Sequence, residues 1–157
     1  MTTLTKQEIK PTWTAEKTHQ AIARAWVNQY SAMMAVICKH APQAIEEFES
    51  IMRANKVEYF KSLNVKTPSE LVKAMAEFEA NAFGSKVEIW GDDKSATMNY
   101  SFCGIYDAMQ KYGKMSQEQM EKAGTQHAQC VEKLGKEFGF NTKVEMGKEL
   151  CTVTFNK

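Results

Sequence analysis

Three cysteines and one histidine in the second half of the chain are of residue types, and at spacings, that could form a catalytic or metal-binding site. His127 and Cys130 lie in a segment whose apolar residues recur every three or four positions, so both should face the same side of a helix. Cys151 alternates in phase with the apolar residues that follow it, as residues on one face of a strand do. Cys103 stands where a strand-like pattern gives way to a helical one, and such junctions often face a pocket.

These residue types support two kinds of chemistry. Thiolates and imidazole nitrogens suit zinc or another soft divalent metal, so one prediction is a tetrahedral metal site. Its ligands would be Cys103, His127, Cys130 and Cys151. The other prediction is a nucleophilic Cys103 with His127 as its base, since a cysteine at a helix N-terminus gains thiolate character. Free cysteine and helical histidine are also common in cores, so simple packing stands beside both, and Cys38 is expected to lie apart from the four.

Aromatic residues on inward-facing positions are predicted to wall a pocket. They are Trp26, Tyr30, Tyr100 and Tyr106. The chain also has ten methionines, whose flexible side chains suit an adaptable wall. Together they predict a mostly apolar cavity near Cys103 that would hold a small molecule, with core packing as the alternative.

Helical spacing dominates the first half of the chain, 1–84. Apolar residues recur at steps of three and four over 22–37, which predicts a long helix that ends before Pro42. Pro42 suits the first turn of a second helix, and Pro68 suits the first turn of a third. Gly84 has the residue type that ends helices, so it is predicted to terminate the third.

The third helix is predicted to turn four apolar residues towards the core. They are Leu71, Met75, Phe78 and Ala82. Glu77 and Glu79 flank Phe78 in the sequence, and they are therefore predicted to form a solvated face.

Strict alternation replaces helical spacing after residue 85. It predicts two β-hairpins, over 86–102 and 143–155, with helices over 104–112 and 116–138 between them. We therefore expect a single α+β domain over 1–157, with a helical half (1–84) and a hairpin–helix–helix–hairpin half (85–157). The two hairpins should join into one antiparallel sheet with helices over one face.

Composition narrows the classes of partner. The chain has 157 residues, of which 43% are hydrophobic and 25% charged, as in an ordinary folded domain. A net charge of +1 gives no electrostatic case for nucleic acid or a membrane surface. No apolar run is long enough to cross a bilayer, so a cytoplasmic protein with reduced thiols is expected. A small-molecule ligand is the predicted partner, and a homo-oligomer is compatible with the sequence.

The segment from residue 100 to residue 155 resembles the L-2-amino-thiazoline-4-carboxylic acid hydrolase family. The resemblance rests on the strand that ends at Cys103, the helix after it, the helix with His127 and Cys130, and a last strand that begins at Cys151. It implies a hydrolase that acts on a C–N bond of a small cyclic or amide-like substrate.

The same segment is also similar to the 4-vinyl-reductase-type domain of phenol-responsive bacterial activators. Members of that group hold zinc with a cysteine before a helix, an acid-x-x-Cys on a helix and a later cysteine in a hairpin. Cys103, Cys130 and Cys151 match the three cysteines in order, and His127 takes the place of the acid. This resemblance implies a non-catalytic, zinc-stapled domain that binds a small molecule.

Overall fold

The computed structural model describes residues 10–113, 116–147 and 151–157. It confirms the predicted α+β class, with three helices before the first strand and an antiparallel sheet after them. Five α-helices and four strands are present in these residues, with a short 3-10 turn over Pro42–Ala44. The elements are α1 Ala15–His40, α2 Ile45–Ser62, α3 Pro68–Phe83, β1 Lys86–Gly91, β2 Ser95–Phe102, α4 Gly104–Tyr112, α5 Gln117–Glu137, β3 Asn141–Met146 and β4 Cys151–Asn156.

Local hydrogen bonds set the helix boundaries. The Thr67 hydroxyl accepts from the Glu70 backbone N–H at 3.3 Å, and the Glu70 carboxylate accepts from the Thr67 N–H at 3.0 Å, so a capping box begins α3. Ser116 and Gln119 form the same arrangement at the start of α5. Gly84 ends α3 in the left-handed conformation with φ of 66°, which glycine adopts without a Cβ penalty.

The two hairpins share one sheet with the strand order β1-β2-β4-β3. Every pairing is antiparallel, and β2 and β4 join the hairpins through pairs such as Met98–Val153. One face of the sheet packs on the helices and carries Met98, Val153 and Phe155, none more than 1% exposed. The opposite face is polar, with Thr97 hydrogen-bonded to Thr154 at 3.0 Å. This alternation directs Cys151 towards the helices, as predicted from strand phase.

The helices form a loosely packed layer over the sheet. The longest helix, α1, packs mainly on α4 and α3, whereas α5 packs mainly on β3. Helix α2 touches both α1 and α5 only lightly. No helix among the described residues has the length and apolar character needed to cross a bilayer.

The inward face of α3 differs from the prediction. Phe78 is 41% exposed and packs against Tyr59 with ring centroids 5.7 Å apart, whereas Glu79 is only partly exposed. The buried row follows steps of four through Leu71 and Met75, and the next residue in that row is Glu79. The prediction that Glu79 lies on a solvated face is therefore wrong, and a carboxylate enters the interior.

Candidate functional site

Cys103 lies at the junction between β2 and α4, where its side chain caps the helix. The Tyr106 N–H donates to the Cys103 Sγ at 3.4 Å. Burial raises the pKa of the Cys103 thiol, and the N–H groups of Tyr106 and Ile105 and the Ser85 hydroxyl oppose that rise as hydrogen-bond partners. The thiol is therefore neutral at pH 7, but the groups that would stabilise a thiolate are already in place.

Ser85 connects this junction to α3. Its side chain is 5% exposed, and its hydroxyl accepts from the Gly104 N–H at 3.1 Å. The same hydroxyl donates to Glu79 Oε2 at 3.0 Å. Gly104 permits this close approach, because a Cβ at that position would clash with the carbonyl oxygen of Phe83 at the end of α3. The start of α4 is thus held directly against the end of α3.

Glu79 is the carboxylate of the site. Burial raises its pKa above the ordinary value, while the hydrogen bond from Ser85 and the charge of Lys56 oppose the rise. A carboxylate with a raised pKa is a stronger base than one in water, and at a functional site it is suited to proton transfer. Sequence periodicity did contain a signal for Glu79, namely its place four residues after Met75.

Tyr100 and Cys151 border the same site from the sheet. Burial raises the pKa of Tyr100 well above its ordinary value, and the nearby Glu79, Cys103 and Cys151 add to the rise. Burial also raises the pKa of Cys151 to about 11, with further contributions from Cys103 and Glu79. Glu79, Tyr100 and the two thiols therefore form one interacting group, in which both thiols and the phenol are neutral at pH 7.

His127 lies apart from this group, on α5. The residue is exposed as a whole, but burial of its imidazole, followed by the charge of Lys56, lowers the pKa of His127 to about 4. Lys56 interacts with both His127 and Glu79, which places its charge between α5 and α3. Among the described residues, no electrostatic interaction joins His127 to Cys103.

Cys130 faces the α1 side of the molecule. Burial is the main cause that raises the pKa of Tyr30, and the charges of Glu49, Cys130 and Cys38 add to the rise. Cys130 therefore lies near the phenol of Tyr30. Cys38 is exposed and shares these surroundings. Because a step of three residues turns a helix by about 300°, the Cys130 and His127 side chains point about 60° apart. On α5 this difference directs one residue towards Tyr30 and the other towards Lys56.

The four aromatic residues predicted to wall a pocket divide by exposure. Trp26 and Tyr30 stack in parallel at a centroid distance of 5.1 Å and are partly buried, and Tyr100 is 7% exposed. Tyr106 is 39% exposed and contributes its backbone N–H to the site. Trp26 packs beside Ile105 and against the start of α4, so α1 reaches the vicinity of the Cys103 junction.

Two open grooves lie elsewhere on the helical layer. One has a volume of about 330 Å³ and lies between α2 and α5, with Arg53 and Lys61 in its wall. The other has a volume of about 360 Å³ and lies between α2 and α3, beside Tyr59 and Phe78. Neither groove is lined by Cys103 or by the predicted pocket residues, so these grooves do not support the predicted apolar cavity.

The predicted metal ligands do not form one cluster. In the part of the chain that the structure describes, no group of three or more His, Cys, Asp and Glu side chains is arranged to hold a metal ion. Cys103 and Cys151 lie with Glu79, whereas His127 lies beside the cation of Lys56, which would repel a second cation. This arrangement does not fit a zinc ion held by the four residues.

Comparisons with known proteins add no family assignment. The chain matches no model of a known protein family, and no curated protein matches it. The two resemblances described above therefore stay predictions from local motifs. The group formed by Glu79, Ser85, Tyr100 and Cys103 is therefore the basis for a proposed function.

Proposed function

We propose that the chain is a thiol-dependent hydrolase that cleaves a C–N bond of a small cyclic or amide-like molecule. The observation that carries the proposal is the Ser85 hydroxyl, which donates to Glu79 at 3.0 Å and lies beside the Cys103 thiol. A nucleophile, a bridging hydroxyl and a base thus follow one another from α4 to α3. A neutral thiol needs such a base, because the thiolate is the nucleophile.

In the first step the sulfur of Cys103 forms a bond to the carbonyl carbon of the substrate's C–N bond, and the π electron pair of the C=O bond moves onto the carbonyl oxygen. The thiol proton passes to the Ser85 Oγ as the Ser85 proton passes to Glu79 Oε2, so Ser85 stays neutral and Glu79 becomes protonated. The hydrogen bond that Ser85 already makes to Glu79 fixes the direction of this transfer. The N–H groups of Ile105 and Tyr106 stabilise the developing negative charge on sulfur at the N-terminus of α4.

In the second step the C–N bond breaks, and the proton stored on Glu79 returns through Ser85 to the leaving nitrogen. An acyl thioester on Cys103 remains. Water then attacks this thioester while Glu79 accepts a proton from it, and the proton is returned to sulfur as the acid leaves. The cycle consumes one water molecule and regenerates the thiol and the carboxylate.

Glu79 takes the role of base that the sequence predicted for His127. The two candidates differ in their contacts, since Glu79 is linked to Cys103 through Ser85 and His127 interacts with Lys56. With a pKa of about 4, the His127 imidazole is neutral at pH 7 and is able to donate and accept hydrogen bonds.

The test is hydrolysis of a panel of small anilides, lactams and cyclic amidines by purified protein. Cys103→Ser should abolish hydrolysis, and Glu79→Gln should lower it by about 10²–10⁴-fold, the usual contribution of a general acid–base. Cys38→Ser is the matched control, because Cys38 is exposed on α1. Hydrolysis that persists at the wild-type rate in Cys103→Ser would overturn the proposal.

The alternative suggested by the second resemblance is a zinc-stapled domain that binds a small molecule without catalysis. Its four predicted ligands, Cys103, His127, Cys130 and Cys151, do not form a metal-binding group among the described residues, so the geometry does not support this alternative. Metal content and a free-thiol count on freshly purified protein test this alternative. One zinc ion per chain, lost on Cys130→Ser together with stability, would favour the alternative over the hydrolase, because metal-binding energy is also folding energy.

A further inference from the structure

We infer that the Tyr100 phenol donates the hydrogen bond that stabilises the oxyanion formed when Cys103 attacks its substrate. The inference rests on the proposed hydrolase function and adds a catalytic residue to it. Sulfur attack on a carbonyl carbon moves an electron pair onto the carbonyl oxygen, and that oxygen needs a donor within the site. Of the groups around Cys103, Tyr100 offers an O–H that has no hydrogen-bond partner within the part of the chain that the structure describes.

The fold places Tyr100 beside the nucleophile. On β2 the inward positions are Ala96, Met98 and Tyr100, all of them buried. Tyr100 follows Asn99, whose partner on β4 is Thr152, and therefore lies next to Cys151 on the inward face. It precedes Cys103 by three residues, and its ring belongs to the buried cluster against which Cys103 packs. The phenol thus lies near the Cys103 thiol, and it also interacts with Glu79 of α3.

The Tyr100 hydroxyl has no hydrogen-bond partner among the described residues. Buried tyrosines ordinarily pair this group, since a sealed and unpaired O–H costs about 1–3 kcal/mol. Among the described residues, the Thr142 hydroxyl is the one polar side-chain atom that is fully buried and has no hydrogen-bond partner. The Tyr100 hydroxyl oxygen also lacks a partner, but it is not fully buried. Tyr100 as a whole residue is 7% exposed, and its hydroxyl oxygen is one of the atoms that water can reach.

The charge state of Tyr100 suits a donor. Burial and the neighbouring Glu79 hold its pKa well above the ordinary value, so the phenol keeps its proton across neutral pH. Glu79 accepts from the Ser85 hydroxyl, and no described group accepts from the Tyr100 O–H, which can therefore donate to an incoming group. In such a low-dielectric site a single oxyanion donor commonly contributes about 10²–10³-fold to kcat.

Three probes separate this role from the others. Iodoacetamide reports only the nucleophilicity of Cys103, because alkylation forms no oxyanion. p-Nitrophenyl acetate forms an oxyanion but expels a leaving group that needs no proton. A small nitroanilide forms an oxyanion and also needs a proton on its leaving nitrogen. Peptide mapping by mass spectrometry assigns each modification to Cys103 and excludes the exposed Cys38.

Tyr100→Phe should lower both acylation by p-nitrophenyl acetate and anilide hydrolysis by about 10²-fold or more, with Cys103 alkylation within about twofold of wild type. Tyr59→Phe, which changes a tyrosine that is 45% exposed on α2, should leave all three rates unchanged. Equal acylation by Tyr100→Phe and wild type would overturn the role of Tyr100 and leave the hydrolase standing. A wild-type protein that is not acylated at Cys103 would overturn both proposals. A parallel loss of alkylation in Tyr100→Phe would assign Tyr100 to the packing of the site and would also overturn the inference.

Discussion

Replacing Ser85 with alanine should weaken both the fold and the reaction, because one buried hydroxyl serves two elements. The substitution leaves the buried Gly104 N–H without an acceptor, which costs about 1–3 kcal/mol. It also removes the bond to Glu79, and bonds to charged groups contribute about 1.5–3 kcal/mol. Lys56 lies near Glu79 and offsets part of the second loss, so the expected total is about 2–4 kcal/mol.

Urea denaturation and thermal unfolding measure this loss. For a chain of 157 residues, about 2–4 kcal/mol corresponds to a decrease in Tm of roughly 6–12 °C, with the urea m-value unchanged. Ser101→Ala is the matched control, because Ser101 is exposed on β2 and donates to the Lys86 carbonyl at 3.3 Å. The control should lose less than about 0.5 kcal/mol. If Ser85→Ala is no less stable than Ser101→Ala, the buried bridge between α3 and α4 has no energetic weight and the reasoning fails.

Two further predictions concern the titration of His127 and the packing of α4. His127 should titrate near pH 4 in an NMR experiment. Because its pKa is lower in the folded chain than in the unfolded one, the free energy of unfolding should fall as the pH falls from about 6.5 to 4. His127→Gln should remove that part of the loss. Titration of His127 near 6.5 would show that the imidazole is fully solvated. Gly104→Ala should destabilise the fold by about 1–3 kcal/mol, because the added Cβ would clash with Phe83. Gly124→Ala should instead stabilise α5 by roughly 0.8–1 kcal/mol, since a Cβ there meets only the Met146 terminal methyl at 3.5 Å. Equal stabilities for these two variants would contradict the close contact between α3 and α4.

Much of the fold could be predicted because its determinants are local. Apolar spacing at 3.6 residues and alternation at two residues distinguish the helices from the hairpins, and the cap at Thr67 and the stop at Gly84 act within one turn. The direction of Cys151 followed from strand phase for the same reason. These features depend on neighbours a few residues away in the chain.

The candidate site could be predicted only in part because its contacts are long-range. Cys103 was recognised from its place before a helix, but Ser85 carries no local signal and acquires its role through contacts with α3 and α4. Glu79 was assigned to solvent because Phe78 beside it is apolar, although steps of four from Met75 favour Glu79 as the inward residue. The low pKa of His127 depends partly on Lys56 of another helix, α2, and no local pattern encodes such a tertiary contact.

The central claim is that Glu79 acts as the proton store for a reaction that Cys103 begins. Glu79 accepts the thiol proton when Cys103 attacks, so Glu79→Gln should slow iodoacetamide alkylation of Cys103 at neutral pH, although loss of the Glu79 charge, which raises the pKa of Cys103, offsets part of this effect. The same variant should lose anilide hydrolysis more strongly, by about 10²–10⁴-fold, because the leaving nitrogen also no longer receives a proton. Glu77→Gln, two residues away on α3 with its side chain 64% exposed, should change neither rate.

The most direct measurement is therefore the pair of rates, alkylation and anilide hydrolysis, in Glu79→Gln relative to wild type. The account predicts that both rates fall and that hydrolysis falls further, because it loses the acid as well as the base. Unchanged hydrolysis, or alkylation at the wild-type rate, would contradict it.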